Sequence, residues 1–288
     1  MSEKVKIIAV TGPTATGKTA LAVKLAELFD GEVVSVDSRQ VYRFMDLGTG
    51  KDLEEYGNVP YHLIDIADPE SQVYNLSEFC RDAFAAIADI TGRGKLPVLC
   101  GGTALYLDAL LKGYRLPGGS LPPREKGVAR SCADREAEPS FTPPFELDPL
   151  VIGVLFDRIV VRERIARRLD SRLAAGMVDE VKKLHDEKGV AYEKLEFFGL
   201  EYREIAAFLQ GKCSFEEMRN TLLDRIRQFA KRQDIFFRKI ERSGQVIYWC
   251  REGREPDPER LVKDFLAGVP LPEPDFRLAD VDYGRKKK

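Results

Sequence analysis

Short apolar runs alternate with helix-like segments through the first hundred residues. The runs KVKIIAVTG, GEVVSVDS and LPVLCGG are rich in β-branched residues and end in glycine or polar residues, which is typical of buried strands. Between them, TALAVKLAELF and LSEFCRDAFAAIADITG carry apolar residues at helical spacing. This alternation favours an α/β fold, a doubly wound parallel sheet whose ligands bind at the carboxyl ends of the strands.

The second half of the chain has a different pattern. Residues 116–149 are rich in proline, glycine and charge, and we interpret them as a linker or loop. LVIGVLFD and GQVIYWC predict further strands, and residues 162–242 are mostly helical in pattern. The predicted parts are a core at 1–115, the loop at 116–149, remaining strands and a helical substrate-binding part at 150–270, and a disordered tail at 271–288.

Composition narrows the class of protein. A chain of 288 residues with 44% hydrophobic and 32% charged residues is typical of globular proteins, and no apolar run approaches the ~20 residues of a membrane span. The five cysteines are scattered without a CxxC pair, which argues against a disulfide framework and a zinc site. The first residues lack the apolar core of a signal peptide. We therefore expect a cytoplasmic monomer with no membrane partner.

Positive charge is concentrated in one helical segment, residues 219–242, which we call the basic segment. Its eight basic and three acidic residues leave a local surplus, although the net formal charge of the chain is only −2. The surplus can face an anionic partner or can belong to a solvated helix face, and both interpretations stay open. Apolar residues at helical spacing predict its core face: Leu222, Ile226, Phe229, Ala230, Phe236, Phe237 and Ile240.

The stretch GPTATGKT matches the phosphate-loop pattern GxxxxGK[ST] in full, with a predicted strand before it and a predicted helix after it. In such a loop, backbone N–H groups surround two linked phosphates, the lysine adds a positive charge, and the hydroxyl suits Mg²⁺. Thr19 is therefore the candidate metal ligand. The predicted diphosphate-binding residues are Gly12, Thr14, Ala15, Thr16, Gly17, Lys18 and Thr19. The motif does not identify the rest of the ligand.

An acidic residue, Asp37, ends the second predicted strand, whereas LPVLCGG ends in cysteine and glycine. An ATPase would need a strand that ends in an acid, to hold Mg²⁺ and to position water. At the mouth of a phosphate cleft, Asp37 can hold Mg²⁺ or act as a general base on a bound acceptor, or it can merely cap the turn that follows. A nucleotide-binding P-loop kinase whose Asp37 activates a hydroxyl is therefore one alternative.

Six segments, in order along the chain, resemble the tRNA dimethylallyltransferases (isopentenyl-diphosphate:tRNA transferases). They are GPTATGKT, VVSVDSRQVYRFMDLGTGK, YHLIDIADPE, LPVLCGGTALYLDALLKG, RERIARRLDSRLAAGMVDEV and IRQFAKRQDIFFR. The resemblance covers nearly all of residues 7–250 apart from 116–149. It implies a P-loop fold and the transfer of a dimethylallyl group from dimethylallyl diphosphate to N6 of an adenine next to the anticodon of tRNA, with Mg²⁺ as cofactor.

The resemblance also implies roles for single residues. The phosphate loop would hold the diphosphate of the donor as a leaving group, with Lys18 placed against its developing charge. Asp37 would accept the N6 proton and Thr103 would lie close to the reacting groups. Arg168, or its neighbour Arg167, would assist the diphosphate. The residues implied to lie near the acceptor, the tRNA or the wall of the site are Ser38, Arg39, Gln40, Arg227, Gln228, Lys231, Arg232 and Gln233.

Two features depart from the family pattern, and both concern the acceptor. Residues 116–149 are too short for the helical insertion that grips the anticodon stem-loop in the family. Glu201, in FFGLEYREI, stands where the family has glycine. A prenyltransferase that acts on an adenine nucleotide such as AMP, or on another RNA, is therefore an alternative. The basic segment favours tRNA, because a small acceptor would not need it.

Overall fold

The computed structural model describes residues 4–70, 73–117 and 139–281. Its main sheet has six strands in the order β3-β2-β4-β1-β7-β8, and every pair of neighbours is parallel. A separate antiparallel pair joins β5 to β6. The strands are β1 (Val5–Thr11), β2 (Gly31–Ser35), β3 (Tyr61–His62), β4 (Leu96–Cys100), β5 (Leu116–Pro117), β6 (Pro139–Phe141), β7 (Leu147–Leu155) and β8 (Tyr248–Arg251).

The α-helices of the described residues cover both faces of the sheet and build a helical layer beyond it. They are α1 (Lys18–Leu28), α2 (Leu76–Gly92), α3 (Ala104–Leu111), α4 (Arg158–Ala174), α5 (Met177–Asp186), α6 (Tyr192–Phe197), α7 (Leu200–Leu209), α8 (Phe215–Arg242) and α9 (Pro258–Leu266). No helix in the described part of the chain is both long and apolar enough to cross a membrane.

Three apolar clusters hold these layers together. One face of the sheet packs on α2, α3 and the second half of α8. The other face packs on α1 and α9. The third cluster packs the five helices from α4 through α8 against one another and includes the loop after β2. The parallel α/β architecture confirms the predicted fold class, and the carboxyl ends of β1, β2 and β4 share one edge of the sheet.

The helix α8 carries the basic segment and crosses this edge of the sheet. A capping box fixes its start, because Ser214 and Glu217 satisfy each other's backbone N–H groups. Most of its predicted core face is buried, but Phe229 is 40% exposed and the prediction for this residue is wrong. The reason is that Phe229 lies at the edge of the buried stripe of α8, which Ile226, Ala230, Gln233 and Phe237 form.

The predicted disordered tail does not begin at residue 271. Residues 271–281 pack on the end of α8: the backbone N–H of Ala279 donates to the Glu241 carboxylate at 2.7 Å, and Leu278 is 1% exposed. Arg238 donates to the carbonyl oxygen of Val281 at 2.7 Å. The prediction is therefore wrong for 271–281, because apolar and charged side chains of α8 find partners there. Residues 282–288 of the predicted tail and 118–138 of the predicted loop lie outside the described residues.

Candidate active site

The phosphate loop, residues 12–19, leaves the carboxyl end of β1 and opens α1. Three of its residues adopt positive φ: Gly12 at 144°, Ala15 at 64° and Gly17 at 81°. A Cβ atom on Gly12 would lie 2.6 Å from the carbonyl oxygen of Val154, so the loop needs glycine where it passes β7. Alternation between right-handed and left-handed backbone turns successive N–H groups toward one side, which is the geometry that a diphosphate requires.

The ammonium group of Lys18 lies inside this loop and donates to the carbonyl oxygen of Pro13 at 2.8 Å. Burial lowers the pKa of Lys18 to about 8; the charge of Arg168 acts in the same direction, and Cys100 and Asp37 oppose it. A charge that is poorly solvated in this way interacts strongly with an anion in the same loop.

The guanidinium group of Arg168, on α4, also contacts the phosphate loop. The Nη2 atom of Arg168 donates to the hydroxyl of Thr14, and burial lowers the pKa of Arg168 to about 10. Its neighbour Arg167 is exposed. Arg168 is therefore the member of the pair that contacts the phosphate loop.

The carboxylate of Asp37 follows β2 and faces the same edge of the sheet. Its Oδ1 atom accepts from the backbone N–H of Arg39 at 2.8 Å and of Gln40 at 3.4 Å, so the capping role is present and uses one oxygen. Its Oδ2 atom makes no hydrogen bond within the described part of the chain. Burial raises the pKa of Asp37, against these two N–H groups and the charges of Arg39 and Lys18. A carboxylate with a raised pKa and a free oxygen can accept a proton.

The loop after β4 brings Thr103 to the Asp37 loop. The hydroxyl of Thr103 accepts from the backbone N–H of Ser38 at 3.2 Å. Both polar atoms of the Gln40 amide are already hydrogen-bonded. The Ser35 hydroxyl donates to Oε1 at 2.8 Å, and Nε2 donates to the carbonyl oxygen of Gly50 at 2.9 Å. Gln40 therefore stabilises the Asp37 loop, and Ser38 is linked to Thr103.

Glu201 lies in the first turn of α7, on the same side of the site. Burial raises the pKa of Glu201; the charges of Arg168 and Arg172 lower it, and that of Asp37 raises it further. Its carboxyl group is thus within electrostatic reach of both the predicted base and the predicted diphosphate ligand. Glu201 therefore adds an ionisable carboxyl group to this part of the site.

The predicted RNA-binding residues of α8 lie beside the phosphate loop but on its opposite flank. Arg227, Gln228 and Lys231 line a cavity of about 940 Å³ together with Pro13 and Thr16. This cavity lies at the ends of β7 and β8, whereas Asp37 and Thr103 follow β2 and β4 on the other side of β1. Arg232 is exposed and does not line the cavity. The structure therefore places Asp37 and Thr103 on one flank of the loop and Arg227, Gln228 and Lys231 on the other.

A buried amide on α8, Gln233, contributes to the site more directly than the sequence indicates. It is 6% exposed and bonds to the backbone of the phosphate loop and of the loop after β4. The sequence contains one signal for it, because Gln233 is a polar residue within the apolar stripe between Ala230 and Phe237.

The site fits a magnesium ion only in part. Thr19, in the first turn of α1, lies close to Cys100. Burial raises the pKa of that thiol to about 11, and the Thr19 hydroxyl acts against this rise. Residues 4–70, 73–117 and 139–281 contain no group of three or more His, Cys, Asp or Glu side chains that could hold a metal. Mg²⁺ commonly binds through one or two protein oxygens together with phosphate oxygens and water, and Thr19 suits that arrangement.

Comparisons with known proteins cover nearly the whole chain. The family model described as IPP transferase matches residues 40–141 and 124–240, and the model described as isopentenyl transferase matches residues 5–57. A tRNA dimethylallyltransferase 1 of Geotalea daltonii is 45% identical, with 88% of this chain and 94% of the relative covered. That of Geotalea uraniireducens is 44% identical, with 90% of this chain and 96% of the relative covered.

A solved structure agrees with these sequence relatives. The full-length tRNA isopentenylpyrophosphate transferase of Bacillus halodurans matches with a TM-score of 0.73 at 31% identity, and the match covers 92% of this chain and 96% of that chain. Identity, coverage and fold are consistent with one another. The chain belongs to the IPP transferase family of tRNA dimethylallyltransferases and is a prenyltransferase.

Proposed function

We propose that the protein transfers a dimethylallyl group from dimethylallyl diphosphate to N6 of an adenine in tRNA, next to the anticodon, and releases diphosphate. The observation that carries this proposal is the juxtaposition of a phosphate loop with a carboxylate of raised pKa. Lys18 and Asp37 lie close enough for each to affect the pKa of the other. One group suits a departing anion and the other suits a proton released by a nucleophile.

The donor half of the reaction breaks the C–O bond between the allylic carbon and the diphosphate. Negative charge then grows on the diphosphate, where the loop N–H groups, Lys18 and Arg168 can stabilise it without rearrangement. Mg²⁺ held by Thr19 and by the diphosphate oxygens would neutralise part of the same charge. Groups that are placed before the charge develops lower the barrier more than groups that must move.

The acceptor half of the reaction forms the new C–N bond. The exocyclic amine of adenine attacks the allylic carbon and loses one proton, which Asp37 Oδ2 accepts. Oδ1 stays bonded to the N–H groups of Arg39 and Gln40 and holds the carboxylate in place. Thr103, which is linked to Ser38, keeps the loop after β4 against the base. Atoms and charge balance, because the proton goes to Asp37 and the electron pair of the broken bond goes to the diphosphate.

The acceptor base has to leave its stack to enter a site of this kind, at a cost of a few kcal/mol. Exposed cations on α8, among them Lys231 and Arg232, can offset that cost by binding the RNA backbone. A tRNA substrate also agrees with the cytoplasmic location that the sequence predicts. The monomeric state stays a prediction.

An acceptor other than tRNA is the second candidate, and one observation favours it. The IPP transferase model matches in two stretches that overlap at residues 124–141, within the short segment 116–149. A break of the match at this position is consistent with a missing part of the family's insertion. If that part is needed to grip an anticodon stem-loop, a smaller acceptor such as AMP would suit the chain better.

Labelled donor distinguishes these acceptors. The protein and Mg²⁺ are incubated with dimethylallyl diphosphate labelled in the prenyl group, in separate tubes with unmodified tRNA, AMP or no acceptor. We expect label in tRNA alone. Label in AMP would favour the second candidate, and label in neither would contradict both. Hydrolysis of ATP, or transfer of its γ-phosphoryl group to a hydroxyl compound, without any prenyl donor, would instead indicate a kinase.

A further inference from the structure

The side chain of Gln233 joins two loops that are far apart in sequence. Its Oε1 atom accepts from the backbone N–H of Thr14 in the phosphate loop at 2.9 Å. Its Nε2 atom donates to the carbonyl oxygen of Gly102, in the loop after β4, at 2.9 Å. A Cβ atom on Gly102 would lie 2.6 Å from Nε2, so this approach depends on glycine.

The two hydrogen bonds require an acceptor and a donor on the same side chain. A neutral amide provides an acceptor and a donor together, whereas an ionised carboxylate provides acceptors alone and an apolar side chain provides neither. Gln233 is buried, so water cannot easily replace a bond that is lost. A neutral side chain that carries both a donor and an acceptor is therefore needed at this position, and glutamine is one.

The bond to Thr14 changes which groups of the loop can hold a diphosphate. The backbone N–H of Thr14 donates to Gln233, and its hydroxyl oxygen accepts from Arg168. The N–H groups from Ala15 onward, together with Lys18, are left to face the ligand. Gln233 thus fixes the first residues of the loop and the direction in which the later ones point.

The bond to Gly102 extends the same connection to the predicted base. Gly102 precedes Thr103, whose hydroxyl accepts from the N–H of Ser38, the residue after Asp37. Gln233 is therefore connected to the loop that carries the base indirectly, through the loop after β4. The separation of the two loops sets the distance between the diphosphate and the carboxylate, on which the rate of a transfer reaction depends steeply.

We propose that Gln233 is a positioning residue for prenyl transfer: through Thr14 and Gly102 it holds the phosphate loop and the Asp37–Thr103 region at the separation that the reaction needs. It acts through these two loops and does not touch the reacting atoms. Its catalytic effect rests on the proposed function, because that effect is measured as prenyl transfer.

Two substitutions of Gln233 test the role of its two hydrogen bonds. Gln233→Met keeps the length of the side chain and removes both bonds. We expect it to lower kcat by about 10- to 100-fold, the scale of a small misplacement of reacting groups, and to weaken the binding of Mg²⁺ and inorganic diphosphate in calorimetry. Affinity for tRNA should stay unchanged. Gln210→Met is the matched control, because Gln210, which follows the last residue of α7, is exposed and its amide donates to the carbonyl oxygen of Ala206.

Gln233→Glu provides a second test, the pH dependence of kcat, which a merely structural role of Gln233 would not change. When the introduced carboxyl is protonated, it can still donate to Gly102 and accept from Thr14. When it is ionised, it places a negative oxygen against the Gly102 carbonyl and beside the bound diphosphate. The ratio of the variant's kcat to that of the wild-type protein should therefore rise as the pH is lowered, whereas the ratio for Gln210→Glu should stay constant.

The proposal is overturned if Gln233→Met keeps wild-type kcat and wild-type diphosphate affinity, or if the ratio for Gln233→Glu does not depend on pH. If the wild-type protein transferred no prenyl group to any acceptor, the proposed function would fail. Calorimetry with inorganic diphosphate would then decide the role of Gln233 alone, since unequal affinities of the wild-type protein and Gln233→Met would still support it and equal affinities would overturn it.

Discussion

The two flanks of the phosphate loop differ in how their residues are held. On the donor side, Lys18, Arg168 and Gln233 come from three separate helices and are fixed by hydrogen bonds to the loop itself. On the exposed flank, Lys231 and Arg232 are surface residues of α8. A buried group with fixed partners can perform one chemical task, whereas exposed cations bind any polyanion that fits them. We therefore expect substitutions on the two flanks to affect different steps.

The largest effect should come from Asp37→Asn, which keeps the size of the side chain and its cap on Arg39 and Gln40 but cannot accept a proton. We expect kcat to fall by about 10²- to 10⁴-fold, the usual contribution of a general base. Donor affinity should be retained, because the diphosphate binds to the loop. Calorimetry with donor and single-turnover transfer to tRNA separate the two effects, and normal turnover of the variant would show that Asp37 is not the base.

Arg168→Met should have the next largest effect. Loss of one charge-assisted contact to the leaving group is worth about 1.5–3 kcal/mol, which lowers kcat by roughly 10- to 100-fold. Arg167→Met is the control, because Arg167 is the adjacent arginine on α4 and is exposed. Equal losses in the two variants would indicate that overall charge matters more than the contact between Arg168 and Thr14.

The pH dependence of kcat/KM for the donor should report the titration of Asp37 and Lys18 in the free enzyme. The pKa of Asp37 is raised, so the base is ionised only above the usual range of an aspartate, and the rate should rise with pH through that raised pKa. The pKa of Lys18 is lowered to about 8, so the rate should fall above about pH 8 as the ammonium loses its proton. A profile that stays flat from pH 7 to 10 would contradict the role of Lys18.

The smallest effect should come from the exposed flank. Lys231→Ala should reduce the slope of log affinity for tRNA against log salt concentration by about 1 and weaken binding modestly. At saturating tRNA, kcat should not change. Lys182→Ala, which removes an exposed lysine of α5, should leave the slope as it is. An unchanged slope in Lys231→Ala would place the RNA elsewhere.

Local patterns account for the parts of the fold and site that the sequence predicts well. Strands such as β1 and β4 are runs of mostly buried residues followed by glycine, and they can be predicted without knowledge of their neighbours. The phosphate loop is also local, because eight consecutive residues determine it. The strand β3 escapes prediction, because it has two residues at the edge of the sheet and shows no periodicity.

Contacts between distant segments could not be predicted in the same way. Gln233 is 131 residues from Gly102, and its neighbours in sequence suggest only a place near tRNA or the site wall. Phe229 matches the helical period of α8, yet it is exposed, because helical spacing does not show how wide the buried stripe of the helix is. The choice between Arg167 and Arg168 likewise depended on the direction in which α4 passes the loop.

A crystal structure with a non-reactive thio-analogue of dimethylallyl diphosphate and Mg²⁺ would test the central claim most directly. The account predicts that the diphosphate lies in the phosphate loop against Lys18 and Arg168, with the allylic carbon directed toward Asp37 Oδ2. An analogue bound outside the loop, or an Asp37 carboxylate turned away from the allylic carbon, would contradict it.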